Sequence, residues 1–113
     1  MTHFPYDTVI RALKAKLQEI MPPNSRAVLY GSRARGDANP ESDWDIHLLI
    51  PGNEKLSIDE MSNYAFPLEC LGWDLNEIFS VAVYSFKGWE KRKILPYYKN
   101  VETDKIILHS TLK

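Results

Sequence analysis

Residues 27–51 read AVLYGSRARGDANPESDWDIHLLIP, and the reading of the whole chain turns on them. The apolar run Ala27-Val28-Leu29-Tyr30 ends abruptly at Gly31-Ser32. Ten residues rich in Arg, Gly, Asn and Pro separate Ser32 from Asp43-Trp44-Asp45, which opens a second apolar run, Ile46 to Ile50. Apolar runs bounded by turn residues predict a strand, a polar loop and a second strand. Side chains alternate along a strand, so Asp43 and Asp45, two apart, fall on one face. Two acids on one face repel unless a cation stands between them, and Mg²⁺ takes oxygen ligands of this kind. At the other end of the loop, Gly31 lets backbone N–H groups approach a phosphate and Ser32 adds a hydroxyl donor. Arg33 and Arg35 carry planar forks that match phosphate oxygens. Metal-binding acids beside a phosphate cradle are what phosphoryl transfer needs, because its catalysis is mostly positioning and charge stabilisation.

The rest of the composition bounds what such a site can belong to. A chain of 113 residues is expected to form a single domain, residues 1–113, with one core. Hydrophobic content of 44% and charged content of 26% are ordinary for a globular protein. The net charge of −1 supplies no basic field, so a polynucleotide partner is not expected. The single cysteine, Cys70, excludes an internal disulfide and a cysteine metal cluster, and its apolar context makes it a structural thiol. No apolar run reaches the roughly 18 residues of a membrane span. The N-terminus shows no charged segment followed by a hydrophobic stretch, so the expected location is the cytoplasm.

Outward from the central stretch, Val9, Ile10, Leu13, Leu17, Ile20 and Met21 recur at helical spacing, which predicts an amphipathic helix from Tyr6 to Met21, ended by Pro22-Pro23. His3 reads as a solvated terminal residue. Beyond the Pro51-Gly52-Asn53 turn, a second helix is predicted from near Ser57, with Asp59 and Glu60 in its first turn and Gly72 as its C-cap. Pro67 inside it predicts a kink or two shorter helices. Residues 78–85, IFSVAVYS, read as a third strand. Lys87 to Lys93 form a basic patch around Trp89, Leu95 to Tyr98 begin a short helix or turn, and Lys105 to His109 form a last strand or helical end. His47 falls on the face of Asp45, either as a contact to phosphate or partner or as a hydrogen-bonded structural residue. The order of elements predicts an α/β (α+β) fold, a small mixed sheet with helices packed on one side.

Gly31-Ser32, ten residues, then Asp43-x-Asp45 resembles the signature of the DNA polymerase beta-like nucleotidyltransferases, whose palm-like core has the predicted order of elements. With Arg33-Ala34-Arg35-Gly36 and Ser42 between, the stretch looks most like the minimal nucleotidyltransferases, small antitoxin partners of HEPN toxins. A polar loop joining two strands accounts for either half of the motif but not for both at this spacing. The resemblance implies a Mg²⁺-dependent transfer of a nucleotidyl group, AMP from ATP, to an acceptor hydroxyl on a HEPN-type partner. It implies Asp43 and Asp45 as catalytic metal ligands, and Gly31, Ser32, Arg33, Arg35 and Ser42 as nucleotide-binding residues. It also implies a third catalytic acid from the next strand. No acid occurs in residues 79–85, and Glu77 at the strand entrance is the expected stand-in. The alternative is a catalytically weak nucleotide-binding module that neutralises its partner by covering it.

Overall fold

The computed structural model describes residues 3–112. Four strands form a mixed sheet in the order β3-β2-β1-β4. β1 (Arg26–Tyr30) and β2 (Trp44–Ile50) are antiparallel neighbours, with Tyr30 opposite Asp45 and Val28 opposite His47. β3 (Phe79–Ser85) lies parallel to β2 on one edge, with Ser80 beside Asp45 and Ala82 beside His47. β4 (Ile106–Ser110) closes the other edge antiparallel to β1. The expected mixed sheet with helices is therefore the architecture found.

α1 (Tyr6–Ile20) packs on the sheet through Val9, Leu13 and Leu17, the apolar positions of its predicted stripe. α3 (Ile58–Asp74) packs beside it, and these two long helices share one face of the sheet with Ala27, Leu29, Ile46 and Leu48. The Ser57 hydroxyl accepts from the Glu60 amide while the Glu60 carboxylate accepts from the Ser57 amide, a capping box that fixes where α3 begins. α3 runs through Pro67 as one helix and passes Gly72, which is not its C-cap. Gly72 serves packing instead: a Cβ there would press on the Phe79 ring at 3.0 Å and on the Glu77 carbonyl at 3.1 Å.

Two short helices, α4 (Phe86–Glu90) and α5 (Pro96–Asp104), cover part of the opposite face, where Val28, Leu49, Trp89 and Val101 form a second buried cluster ringed by tyrosines. The helical layer expected on one side thus has a smaller counterpart on the other. The loop after β1 also differs from a plain connector. It begins with one turn of helix, α2 (Ser32–Arg35). Among the described residues no helix is long and apolar enough to cross a membrane.

Candidate active site

β1 delivers the chain to Gly31, which turns it into α2 with φ +76° and ψ −159°, a backbone region that essentially only glycine occupies. A Cβ at Gly31 would also collide with the Asp45 carboxylate, so the turn and the acid are packed backbone against side chain. The amides of Ser32 and Arg33 head α2, where a helix offers no internal acceptor. The Ser32 hydroxyl makes no hydrogen bond among the described residues.

Asp45 opens the acid-bearing face of β2, and Asp43 stands just before the strand on the same side. Burial raises the Asp45 carboxyl above its ordinary range, the charge of Asp43 raises it further, and Arg35 draws it down. Such an acid pair gains when a cation reaches it. Ser80 Oγ donates to Asp43 Oδ2 at 3.1 Å, which orients that carboxylate. Among the described residues no cluster of three or more His, Cys, Asp or Glu side chains is assembled for a metal. Two carboxylates still suit Mg²⁺, which commonly binds through one or two acids while phosphate oxygens and water complete its shell. The donor set therefore fits a metal that arrives with a triphosphate.

The structure brings Gly31, Ser32, Asp43 and Asp45 together, with Arg35 within electrostatic reach. Arg35 is half exposed and paired with Asp104 at 2.8 Å and Asp37 at 3.2 Å, so a phosphate would compete with two acids for it. Ser42 shapes the loop: its hydroxyl accepts from the Asn39 amide at 3.0 Å. Arg33 is turned away from the Gly31 turn. Its guanidinium lies 4.7 Å over the Trp44 ring and donates to the Ser42 carbonyl at 2.9 Å. Arg33 and Ser42, expected on the nucleotide, are engaged within the loop.

Glu77, the expected third acid, is likewise placed away from the Asp43–Asp45 pair. It is buried, accepts a hydrogen bond from Trp44 Nε1 at 2.9 Å, and lies 2.8 Å from His3 Nδ1. Trp44 alternates with Asp43 and Asp45 along the strand and packs against Tyr6 of α1, so Glu77 belongs to the other face of the sheet. His3, expected in solvent, is tied to it. A cleft of about 330 Å³ beside Glu77, bounded by Ser42, Trp73 and Ile78, likewise contains neither Asp43 nor Asp45. On the acid face, the β3 positions beside Asp45 and His47 are Ser80 and Ala82, neither of them an acid.

His47 is neither a phosphate contact nor a hydrogen-bonded structural residue. It is fully buried against Tyr84 and Trp89, and neither ring nitrogen has a partner among the described residues. Burial, then the charge of Arg26, lowers it to about 3 against the pull of Glu102, so it stays neutral. Two tyrosines that the sequence does not mark as site residues sit near Asp45. Tyr30 is its cross-strand partner, and the Tyr30 hydroxyl lies 3.2 Å from that of Tyr97. Burial pushes both phenols up, which keeps them protonated as donors. Period-two alternation could have found Tyr30, but nothing local in the sequence brings Tyr97 from α5.

The sequence profile of the nucleotidyltransferase domain matches residues 10–109. The chain belongs to that family. The nucleotidyltransferase domain also has structural neighbours that share its fold. One is a candidate nucleotidyltransferase from Sulfolobus solfataricus, with a TM-score of 0.58, 18% identity, and coverage of 93% of this chain and 83% of that one. Another is a toxin–antitoxin structure with AMP-PNP, with a TM-score of 0.56, 19% identity, and coverage of 96% and 75%. Among curated proteins no match to this nucleotidyltransferase domain is found.

Proposed function

We propose that the protein binds a nucleoside triphosphate with Mg²⁺ and transfers the nucleotidyl group, AMP from ATP, to a hydroxyl of a HEPN-type partner protein. The observation that carries this reading is the Asp45 carboxylate packed against the Gly31 turn with the charge of Asp43 beside it. Asp43 and Asp45 would hold the metal, which when bound neutralises charge on the phosphates and on the pyrophosphate that leaves. The Ser32 hydroxyl and the first amides of α2 would donate to phosphate oxygens. Arg35 would exchange Asp104 for a phosphate, a charge-assisted bond of the stronger kind. The protonated hydroxyls of Tyr30 and Tyr97 would donate to oxygen atoms on the same face. The neighbour with AMP-PNP supports the nucleotide, and the toxin–antitoxin setting of that neighbour supports a protein partner.

A second reading has its own observation. Ser80 and Ala82 occupy the β3 positions beside Asp45 and His47, so the strand supplies no acid to take the proton of an attacking hydroxyl. A domain built this way would neutralise its partner chiefly by binding it, with slow transfer or none. Incubation with ATP labelled at the α-phosphate, Mg²⁺ and the partner protein separates the readings. Label on the partner, lost in Asp45→Asn, supports transfer. A stable complex that forms without label, and equally with Asp45→Asn, supports the cover.

A further inference from the structure

Arg33 is a largely buried cation. Its side chain is 14% exposed, stacked over Trp44, and its Nη2 lies 3.6 Å from Glu77 Oε1. Its Nε and Nη2 donate to the Ser42 carbonyl at 3.3 and 2.9 Å, and Nη2 also reaches the Pro40 carbonyl at 3.4 Å. Glu77 completes the arrangement from below, its carboxylate 4% exposed and held by Trp44 Nε1 and His3. Burying a guanidinium and a carboxylate is costly unless both are paired and hydrogen-bonded, and here, His3 apart, the contacts of the pair bear on the loop or on Trp44.

The carbonyl that Arg33 grips belongs to the peptide joining Ser42 to Asp43. On the other side of Asp43, the Trp44 amide donates to the Ile78 carbonyl at 2.9 Å. Asp43 is thus held between two pinned peptides while Ser80 fixes its carboxylate. We infer that Arg33 and Glu77 are positioning residues for the Asp43–Asp45 pair: Glu77 and Trp44 orient the guanidinium fork, and the fork sets the peptide from which the Asp43 carboxylate projects. This rests on the reading of the acid pair as the site of metal and triphosphate. It assigns to Arg33 and Glu77 a role on the far side of β2 from the chemistry.

Arg33→Lys and Glu77→Gln test it. Lysine keeps the charge but cannot grip one carbonyl with two N–H groups while stacking flat on Trp44. Glutamine can still accept from Trp44 Nε1 but places no charge opposite Arg33. Both should fold, with amide exchange of residues 39–44 accelerated and that of β1 and β4 unchanged. Mn²⁺·ATP affinity, read by calorimetry, should fall by about ten- to a hundredfold, the usual effect of losing a group that orients a metal ligand. Should Glu77→Gln fail to fold, Arg33→Lys alone decides. Folded variants whose loop exchange or Mn²⁺·ATP affinity matches the parent overturn the inference. A parent without Mn²⁺·ATP affinity, or an Asp43→Asn/Asp45→Asn variant that keeps it, overturns the nucleotide reading itself and this inference with it.

Discussion

The two faces of β2 come from alternate residues of one strand, yet they have different fates. Trp44, Ile46, Leu48 and Ile50 are all no more than 2% exposed and enter the main core with α1 and α3. On the other face Leu49 and His47 are buried beneath the tyrosines and Trp89, while Asp45 at the head of the strand is only partly covered. Burial on this face therefore decreases toward the end where Gly31 turns the chain. A carboxylate survives as an anion only where water or a cation can reach it, and the open end of the partly covered face is where Asp45 meets that condition. The other face gains stability from continuous apolar burial and can tolerate a charge only as the fully paired Arg33–Glu77 arrangement at its rim.

The sharpest way to break this comparison is to remove charge from the open face. Asp43→Asn with Asp45→Asn should abolish Mg²⁺-dependent ATP binding and leave the thermal midpoint unchanged or slightly raised, because mutual repulsion is relieved. Calorimetry with Mg·ATP and a thermal melt read the two effects separately. A double variant that binds normally would remove the acid pair from the site. Next in size is Leu48→Ala in the closed face, expected to cost about 2–5 kcal/mol, the range for a buried leucine truncated in a packed core. Leu49→Ala, in the smaller cluster, should cost less by denaturant unfolding. Equal costs would mean that both faces carry the fold alike.

On the face covered by α4 and α5, two groups respond to acid in different ranges. His47 is held neutral down to about 3, chiefly by burial, whereas in the unfolded chain it takes a proton near its ordinary 6.5. Between those values the unfolded state binds more protons, so stability declines as pH falls from 6.5 toward 3 and is fully present above 6.5. Burial would raise Glu102, but hydrogen bonds from Arg26, Lys105 and Trp89 outweigh it and hold the acid at about 2. The stability those bonds supply is lost only as pH falls from its ordinary 4.5 toward 2. Denaturant unfolding at about pH 7 and about pH 5 therefore isolates the histidine, and His47→Phe should flatten the loss between them. An unchanged slope in that variant would assign the acid sensitivity elsewhere.

What could be read from the sequence was what local rules control. Period-two alternation identified the strand and the shared face of Asp43 and Asp45, and the apolar stripe with Ser57 and Glu60 located the two long helices. The placement of Arg33 and Glu77 depends on Trp44 and the other side of the sheet, and that of Ser42 on a loop that folds its hydroxyl back onto the Asn39 amide. Glu77 looked available at a strand entrance, but its fate is set by Trp44, whose side chain alternates away from the acids it separates. Arg33 resembles a phosphate ligand by residue type, whereas two loop carbonyls take its donors and the Trp44 indole covers its face. The second helical cover was hidden because α4 and α5 are too short to show a clear stripe. His47 departs from both expectations because aromatic rings from four elements close over it without offering a hydrogen bond.

The smallest effect expected separates two serines that the motif treats alike. Ser32 heads α2 with its hydroxyl unengaged among the described residues, next to the glycine whose backbone meets Asp45. Ser42 has its hydroxyl committed to the Asn39 amide within the loop. Ser32→Ala should therefore leave stability and loop exchange unchanged and weaken Mg·ATP binding by about 1 kcal/mol, the net worth of one hydrogen bond. Ser42→Ala should show the reverse order of effects: faster amide exchange at Asn39 first, and weaker binding only as far as Asp43 is disturbed. Calorimetry and hydrogen exchange on both variants give four numbers, and the contrast between them is the test. If Ser32→Ala binds ATP as tightly as the parent, the Gly31-Ser32 turn abuts the acid pair without cradling a phosphate, and triphosphate recognition must rest on Arg35 and the tyrosine hydroxyls.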